Sequence, residues 1–320
     1  MRIRSLMPAA SQQHIKLKDR AKLSLGAIVY PIQTHRWRTF LDANPVLGEL
    51  ARLYPRLIHK IYRPYLSNHL SCADRVDVLI GHYGLLFKAG FGDFVRHAAA
   101  RAITVHEFAG KSGTQFQLQL SAINEGHREG ELCLRLLSNG VYLYSVSFVL
   151  LMLHGEPYLK IGCLQGVRSV NGALWIKRVT RELHGCRPKN LMVSAVRDIG
   201  DYFGCKGALL VSNKNRISIN PWRRRQITSN YDQTWEEMRA TRRVDNDFEL
   251  PCTGMLRIAF DALPSKKRSE AKKRSAMLDA VFQAVRARLD AIKSEPQRAK
   301  APVALATSVA VGDSPPAAQC

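Results

Sequence analysis

An α+β architecture, with a helical N-terminal part and then a mostly antiparallel mixed sheet with packing helices, is predicted by three features of the chain. Apolar residues recur at a 3.6-residue period from Arg36 to His97, the period changes to two after Ala100, and helical periodicity returns beyond Gly166 around one more short apolar run. The 320 residues are 46% hydrophobic and 8% aromatic, enough to bury a sizeable core. The expected organisation is a basic segment over 1–34, a helical part over 35–98, a sheet domain with a basic C-terminal helix over 99–293, and an Ala/Pro/Ser-rich, disordered tail over 294–320.

Each element has its own signal. Asn44 is placed to cap a helix that begins at Pro45, with Pro55 and Pro64 as breaks. "SCADRVDVLIGHYGLLFKAG" then sets Val76, Leu79, Ile80, Tyr83, Leu86 and Phe87 on one face of a longer helix. Phe116, Leu118 and Leu120 alternate with glutamines, and Leu132, Leu134 and Leu136 alternate with Glu131, Cys133 and Arg135, as half-buried strands do. "SNGV" at Ser138 to Val141 is a hairpin turn and "HGEP" another, so 101–163 reads as an antiparallel meander of four or five strands. The apolar run at 141–153 is too short to cross a bilayer, which takes about 20 residues, and reads as a buried strand.

Beyond it, "VNGALWIKRVTREL" reads as a helix, Arg187–Gly204 as a second helix, and "GALLVSN" at 207–213 as a short buried strand. On the second helix Met192, Ala195, Val196, Ile199 and Phe203 form the apolar stripe, and Arg197 and Asp201 are expected to pair on the other face. Residues 214–264 read as a loop carrying "WRRRQ" and one short helix. A last helix over Lys266–Lys293 carries Met277, Leu278, Val281, Phe282, Val285 and Leu289 on one side.

Several functional classes lack support. The chain contains no GxGxxG, GxxxxGK[ST], HExxH or GxSxG motif, so no nucleotide-loop, zincin or serine-hydrolase chemistry is indicated. The seven cysteines are scattered without a CxxC, and the ten histidines lack ligand spacing, so no metal is expected and the thiols fit a reduced compartment. The N-terminus lacks the apolar core of a secretory signal, which places the expected chain in the cytoplasm or at the inner face of the membrane.

The net charge is +22, and its excess lies at the ends: 12 basic and 3 acidic residues over 1–70, 15 and 11 over 71–205, 21 and 11 over 206–300. Such a field attracts polyanions, namely nucleic acid, anionic lipid, a lipopolysaccharide precursor or a phosphorylated cofactor. Six cations, Lys266, Lys267, Arg268, Lys272, Lys273 and Arg274, crowd the first turns of the last helix, where repulsion and the helix dipole oppose them. A bound polyanion would relieve that repulsion; a solvated basic face is the other reading.

"ELHGCRPKNLM", residues 182–192, poses the same choice at the start of the helix from Arg187. Gly185 permits a bend, Pro188 suits the first turn, and Arg187 and Lys189 add charge where free amides converge, so the segment is either an anion-binding helix start or a loop feeding a core helix. Glu156 in the "HGEP" turn and Glu182 beside His184 are candidate bases, and Tyr231 is a candidate general acid.

The ordered blocks "IYRPYLSNHLSCADRVDVLIGHY", "LKIGCLQG", "ELHGCRPKNLM", "LLVSNKNR", "YDQTWEE" and "LPSKKRSEAKKR" resemble the bacterial VirK/YbjX family over roughly residues 35–292. The resemblance implies an association with the cell envelope and virulence, and supplies no catalytic residue. More distantly, a meander followed by a strand, a helix start and a strand ending in "SN" resembles the GCN5-related N-acyltransferase arrangement. That resemblance implies acyl-coenzyme A, with its pyrophosphate on Gly185, Arg187, Lys189 and Asn190 and its pantetheine arm beside Asn213. The acyltransferase loop pattern Q/RxxGxG/A is missing here. Two functions follow as expectations: an envelope-associated acyltransferase acting on an amine or hydroxyl, or a non-enzymatic basic protein whose residues 216–274 bind nucleic acid or anionic lipid.

Overall fold

The structure, a computed structural model, describes residues 24–122, 128–167, 172–217, 229–253 and 264–294. The "WRRRQ" segment, the first 23 residues and the tail after Ser294 lie outside the described residues. A helical layer opens the fold: α1 (Pro31–Ala43), α2 (Pro45–Leu53), α3 (Arg56–His59), a 3-10 turn at Lys60–Tyr62, α4 (Cys72–Lys88) and α5 (Gly92–Ala100). Asn44 caps α2 as its sequence implies, its side chain accepting from the amides of Val46 and Leu47. α4 begins in a reciprocal capping box between Ser71 and Asp74. Its Val76, Leu79, Tyr83 and Leu86 are buried, as the period requires, and each contributes about 1.5–3 kcal/mol of burial.

Five antiparallel strands follow: β1 (Ile103–Ala109), β2 (Gln115–Ala122), β3 (Leu132–Ser138), β4 (Val141–Leu153) and β5 (Glu156–Gly166). Asn139 and Gly140 take φ of +48° and +77°, and His154 and Gly155 +52° and +82°, so both predicted hairpins turn through two left-handed residues whose twist suits the strands. The chain then crosses over the sheet through α6 (Gly172–Glu182) and α7 (Pro188–Tyr202) to β6 (Gly207–Leu210). After α8 (Tyr231–Glu237) come two short strands, β7 (Thr241–Arg242) and β8 (Phe248–Pro251), and finally α9 (Ser265–Ser294). Among the described residues the sheet has eight strands in the order β1-β2-β3-β4-β5-β6-β8-β7, antiparallel except where β6 lies parallel to β5. One apolar cluster joins the helical layer, the sheet and α7.

Two expectations are corrected. Residues 214–264 are more than a loop and a helix: β7 and β8 extend the sheet there, strands of two and four residues, shorter than a periodicity can register. Arg197 and Asp201 do not pair across an exposed face. Arg197 is buried and its guanidinium donates to the Pro251 carbonyl of β8, while Asp201 pairs with Arg286 of α9. The covering strand and helix turn what reads as a polar flank of α7 into an interior one, and both polar residues find partners distant in sequence.

Candidate functional site

The feature that organises the site is where β5 and β6 part. Their parallel pairing runs from Leu159 opposite Ala208 to Ile161 opposite Leu210, and its last link is the Val211 amide to the Ile161 carbonyl at 3.1 Å. There β5 carries a bulge: Ile161 pairs with Phe148 and Cys163 with Ser147, leaving Gly162 as the extra residue. A Cβ at Gly162 would fall 2.1 Å from the Glu129 carbonyl oxygen, so only glycine fits without backbone movement. Gly162→Ala is expected to destabilise the protein by about 1–3 kcal/mol or more in urea unfolding. Past the bulge β5 continues along β4 to Gly166, while the other chain turns at Ser212–Asn215.

The outer edge of β5 that β6 leaves is met by Tyr231. Tyr231 Oη accepts from the Leu164 amide at 2.8 Å and donates to the Leu164 carbonyl at 3.0 Å. Burial and the neighbouring Cys163 push the Tyr231 hydroxyl well above its ordinary pKa, so it keeps its proton. Burial and the Glu129 charge push the Cys163 thiol up to about 12. The Arg216 guanidinium stacks 4.9 Å above the Tyr231 ring. Asn213 holds Tyr231 in place: its Oδ1 accepts from the Tyr231 amide at 2.9 Å, and its Nδ2 donates to Asn230, the cap of α8, at 2.6 Å.

α7 starts at the same end of the parallel pair, since its other end reaches Leu159 and Cys252 through Gly200. His184 and Gly185 take φ of +51° and +76°, and the Gly185 and Cys186 amides close α6 by bonding to the Thr180 and Leu183 carbonyls at 2.8 and 2.9 Å. Asn190 N–H bonds to the Arg187 carbonyl at 2.9 Å. The amide of Lys189, in the first turn, has no acceptor within the helix. Arg187 and Lys189 both reach Glu237 Oε2 of α8, at 3.2 and 2.8 Å, and chiefly the Lys189 hydrogen bond holds the Glu237 carboxyl below its usual range. Two cations thus share one carboxylate.

α9 supplies a third cation. Arg274 Nη1 lies 3.5 Å from where a Gly185 Cβ would stand, so the basic helix and the α7 start, which read as separate features, meet here. Lys267, Arg268, Lys272 and Lys273 are exposed; of Lys266 only the backbone is described. Glu270 offsets part of the crowding, lying 3.6 Å from His184 Nδ1 and 3.9 Å from Lys111 Nζ.

The two carboxylates differ in position. Glu182 ends α6 and accepts from the Ser112 amide and hydroxyl at 2.9 and 2.7 Å, bonds that hold its carboxyl below the usual range. Glu156, read as a turn residue, is the first residue of β5, at the opposite end of that strand from the α7 start, and pairs with Lys206 at 2.8 Å.

The sequence matches the family described as "Protein of unknown function (DUF535)" over residues 12–287. The chain belongs to this family. It is 28% identical over 267 residues to the Escherichia coli "Uncharacterized protein YbjX", covering 82% of this chain and 81% of that one. Two Haemophilus influenzae proteins, each named "Uncharacterized protein", are 31% identical over 144 residues (44% of this chain, 46% of theirs) and 28% over 176 residues (54% and 58%).

The blocks that carry the resemblance to the YbjX family converge in space. "LKIGCLQG" is the parting edge of β5, "ELHGCRPKNLM" the α7 start, "LLVSNKNR" the end of β6 and "YDQTWEE" is α8. The first block docks on them: Ser67 Oγ and the Asn68 amide both donate to the Asn215 carbonyl, at 3.1 and 2.8 Å. Beneath them Lys160 Nζ and Asp247 Oδ2 form a buried pair at 2.6 Å, and Asp247 Oδ1 accepts from the Ser212 amide and Asn215 Nδ2, both at 2.9 Å. Burial opposes the Asp247 charge, but Lys160 and these donors outweigh it and hold the carboxyl below its usual range. Sequence reading passed over this pair and over Glu237. Lys160 left a trace, a lone charge between Leu159 and Ile161 in an apolar strand; Glu237 left none.

Proposed function

We propose that the chain binds an acyl-coenzyme A at the parting of β5 and β6 and transfers the acyl group to an amine or hydroxyl of a cell-envelope lipid, peptide or protein. The observation that carries this reading is the end of the parallel pairing at Ile161 and Val211, beside a helix start where Arg187, Lys189 and Arg274 gather. The residues fit an anion at the first turn of α7 rather than in the loop before it, because the Gly185 and Cys186 amides already have acceptors. Arg187 and Lys189, with the Lys189 amide and the Asn190 side chain, would hold the phosphates, and Glu237 would yield its place. Asn213 and the Leu164 edge would border the pantetheine arm.

When bound, the thioester supplies an acyl group activated for transfer. Glu182, held by Ser112 in the β1–β2 turn, and Glu156, paired with Lys206 at the start of β5, are the candidates to take a proton from the acceptor. Tyr231 keeps its proton in the bond to the Leu164 carbonyl, and could act as general acid only by exchanging that acceptor for the leaving group. Isothermal titration with acetyl- and long-chain acyl-coenzyme A is expected to show saturable binding, weakened about tenfold in Arg187→Ala or Lys189→Ala, the loss of one charge-assisted hydrogen bond. No heat from the unaltered protein would sink this reading.

The second reading is a polyanion binder without chemistry, and the exposed Lys267, Arg268, Lys272 and Lys273 on one stretch of α9 favour it. Its mark is an affinity for nucleic acid or anionic vesicles that falls steeply with salt and is lost in Lys272→Glu/Lys273→Glu.

A further inference from the structure

We infer that a solvent-facing apolar stripe ahead of α1 docks in the plane of an anionic lipid surface. The stripe is Leu25, Ile28, Val29 and Ile32, which are 63, 75, 55 and 70% exposed. Residues 24–29 are helical, and the bonds Tyr30 N–H to Gly26 O and Thr34 N–H to Tyr30 O, both 2.9 Å, carry the turns into α1. Spacing of i, i+3 and i+4 sets Leu25, Ile28 and Val29 within about 100° of helix face, and Ile32 follows in the first turn of α1, after the helix breaks at Tyr30 with φ and ψ of −127° and 60°. The opposite face holds the segment to the protein. Gly26 lies so close to Tyr62 that a Cβ would come within 2.6 Å of its ring, Ala27 is buried, and Thr34 Oγ1 meets Tyr62 Oη at 2.7 Å. A surface helix of a globular protein normally turns its large apolar residues inward, and this one turns its small residues inward and its large ones out. A single exposed leucine calls for no explanation, but four large aliphatics exposed within eight residues form a binding surface.

Charge selects the partner. Lys16, Lys18, Arg20 and Lys22 directly precede the stripe in sequence with Asp19 as the one acid among them, whereas Arg36 of α1 is paired with Asp77 at 2.8 Å. Exposed aliphatic residues next in sequence to a run of cations are the composition of a segment that sinks into the acyl boundary while lysines and arginines meet acidic headgroups. A second copy of the chain would instead bring +22 against +22. This surface is separate from the α7 start and from the basic turns of α9, so its test does not depend on acyl-coenzyme A.

The test is flotation of the full chain with vesicles of phosphatidylcholine alone or mixed with phosphatidylglycerol. The unaltered protein is expected to float with the mixed vesicles and to come off as salt rises. Ile28→Asp/Ile32→Asp, both at exposed positions, should cut the bound fraction by about tenfold or more with an unchanged thermal transition, and Lys272→Glu/Lys273→Glu should leave it within about twofold. Protein that stays in solution with the mixed vesicles, an Ile28→Asp/Ile32→Asp variant that floats like the original, or equal binding to phosphatidylcholine alone would each overturn the inference. So would a dimer in sedimentation velocity that the aspartate variant splits, which would assign the face to a second copy.

Discussion

Glu131→Gln is expected to cost the fold about 3–5 kcal/mol, the loss that follows when one member of a buried ion pair is removed and the other charge stays behind. Glu131 stands at the entrance to β3 and is wholly enclosed. Its Oε1 accepts from Lys60 Nζ at 2.5 Å and from Tyr65 Oη at 2.9 Å, and its Oε2 accepts from Tyr83 Oη. Those donors come from the 3-10 turn, the loop after it and α4, so one carboxylate gathers three parts of the helical layer onto the sheet. Burial, with the Glu131 charge, pushes both tyrosines far above their ordinary pKa, and they remain donors at any working pH. With glutamine in place, the buried Lys60 ammonium loses its counterion. The double variant Lys60→Met/Glu131→Gln removes that stranded charge and is expected to recover part of the loss. Urea unfolding of the two single variants and the double variant measures the coupling; a Glu131→Gln midpoint near that of the unaltered protein would show that the pair adds nothing.

Acid is expected to weaken the protein in two steps, the first of them set by His82. Burial holds the His82 pKa down at about 4 against an ordinary 6.5; Glu131 opposes the shift and Lys60 adds to it. Its Nδ1 accepts from the Leu150 amide at 3.1 Å, which places the ring proton on Nε2, and Nε2 has no partner among the described residues. The folded state therefore holds the neutral ring. A group whose folded pKa is depressed contributes its full stability above the unfolded pKa and loses it as pH falls toward the folded one. For His82 that window is pH 6.5 to 4, and the two values imply a loss of about 3 kcal/mol across it. Below about pH 4 the same sign applies to Asp247, whose depressed carboxyl must then take a proton and release Lys160. Urea midpoints measured from pH 7 to pH 4 should fall steeply for the unaltered protein and much less for His82→Gln; parallel slopes would show that His82 does not titrate in this window.

Local periodicity made much of the fold legible. The alternation in β2 and β3, the Asn139–Gly140 turn, the Asn44 cap and the apolar stripes of α4, α7 and α9 all follow from which face of a strand or helix must leave water, and that is written in residue spacing. β7 and β8 left no such mark, because strands so short take their pairing from a neighbour and not from an internal pattern. The site was half legible. Arg187, Lys189, Tyr231 and Asn213 stood out by residue type, but their partners did not: Glu237 is 48 residues from Lys189, and Tyr231 is 67 from Leu164.

The sequence by itself determined the class of fold, the order of its longer elements, the strong positive charge and the helix read from Arg187, all of them properties of composition or of spacing within about a dozen residues. Only the tertiary structure decided that β5 and β6 part at Gly162, that Arg274 joins the α7 start, that Arg197 faces inward, and that Glu131 and Asp247 each hold a buried lysine. The physical reason is that a charge inside a protein is tolerated only where the packed chain brings its counterion to it, and that meeting depends on how the layers stack.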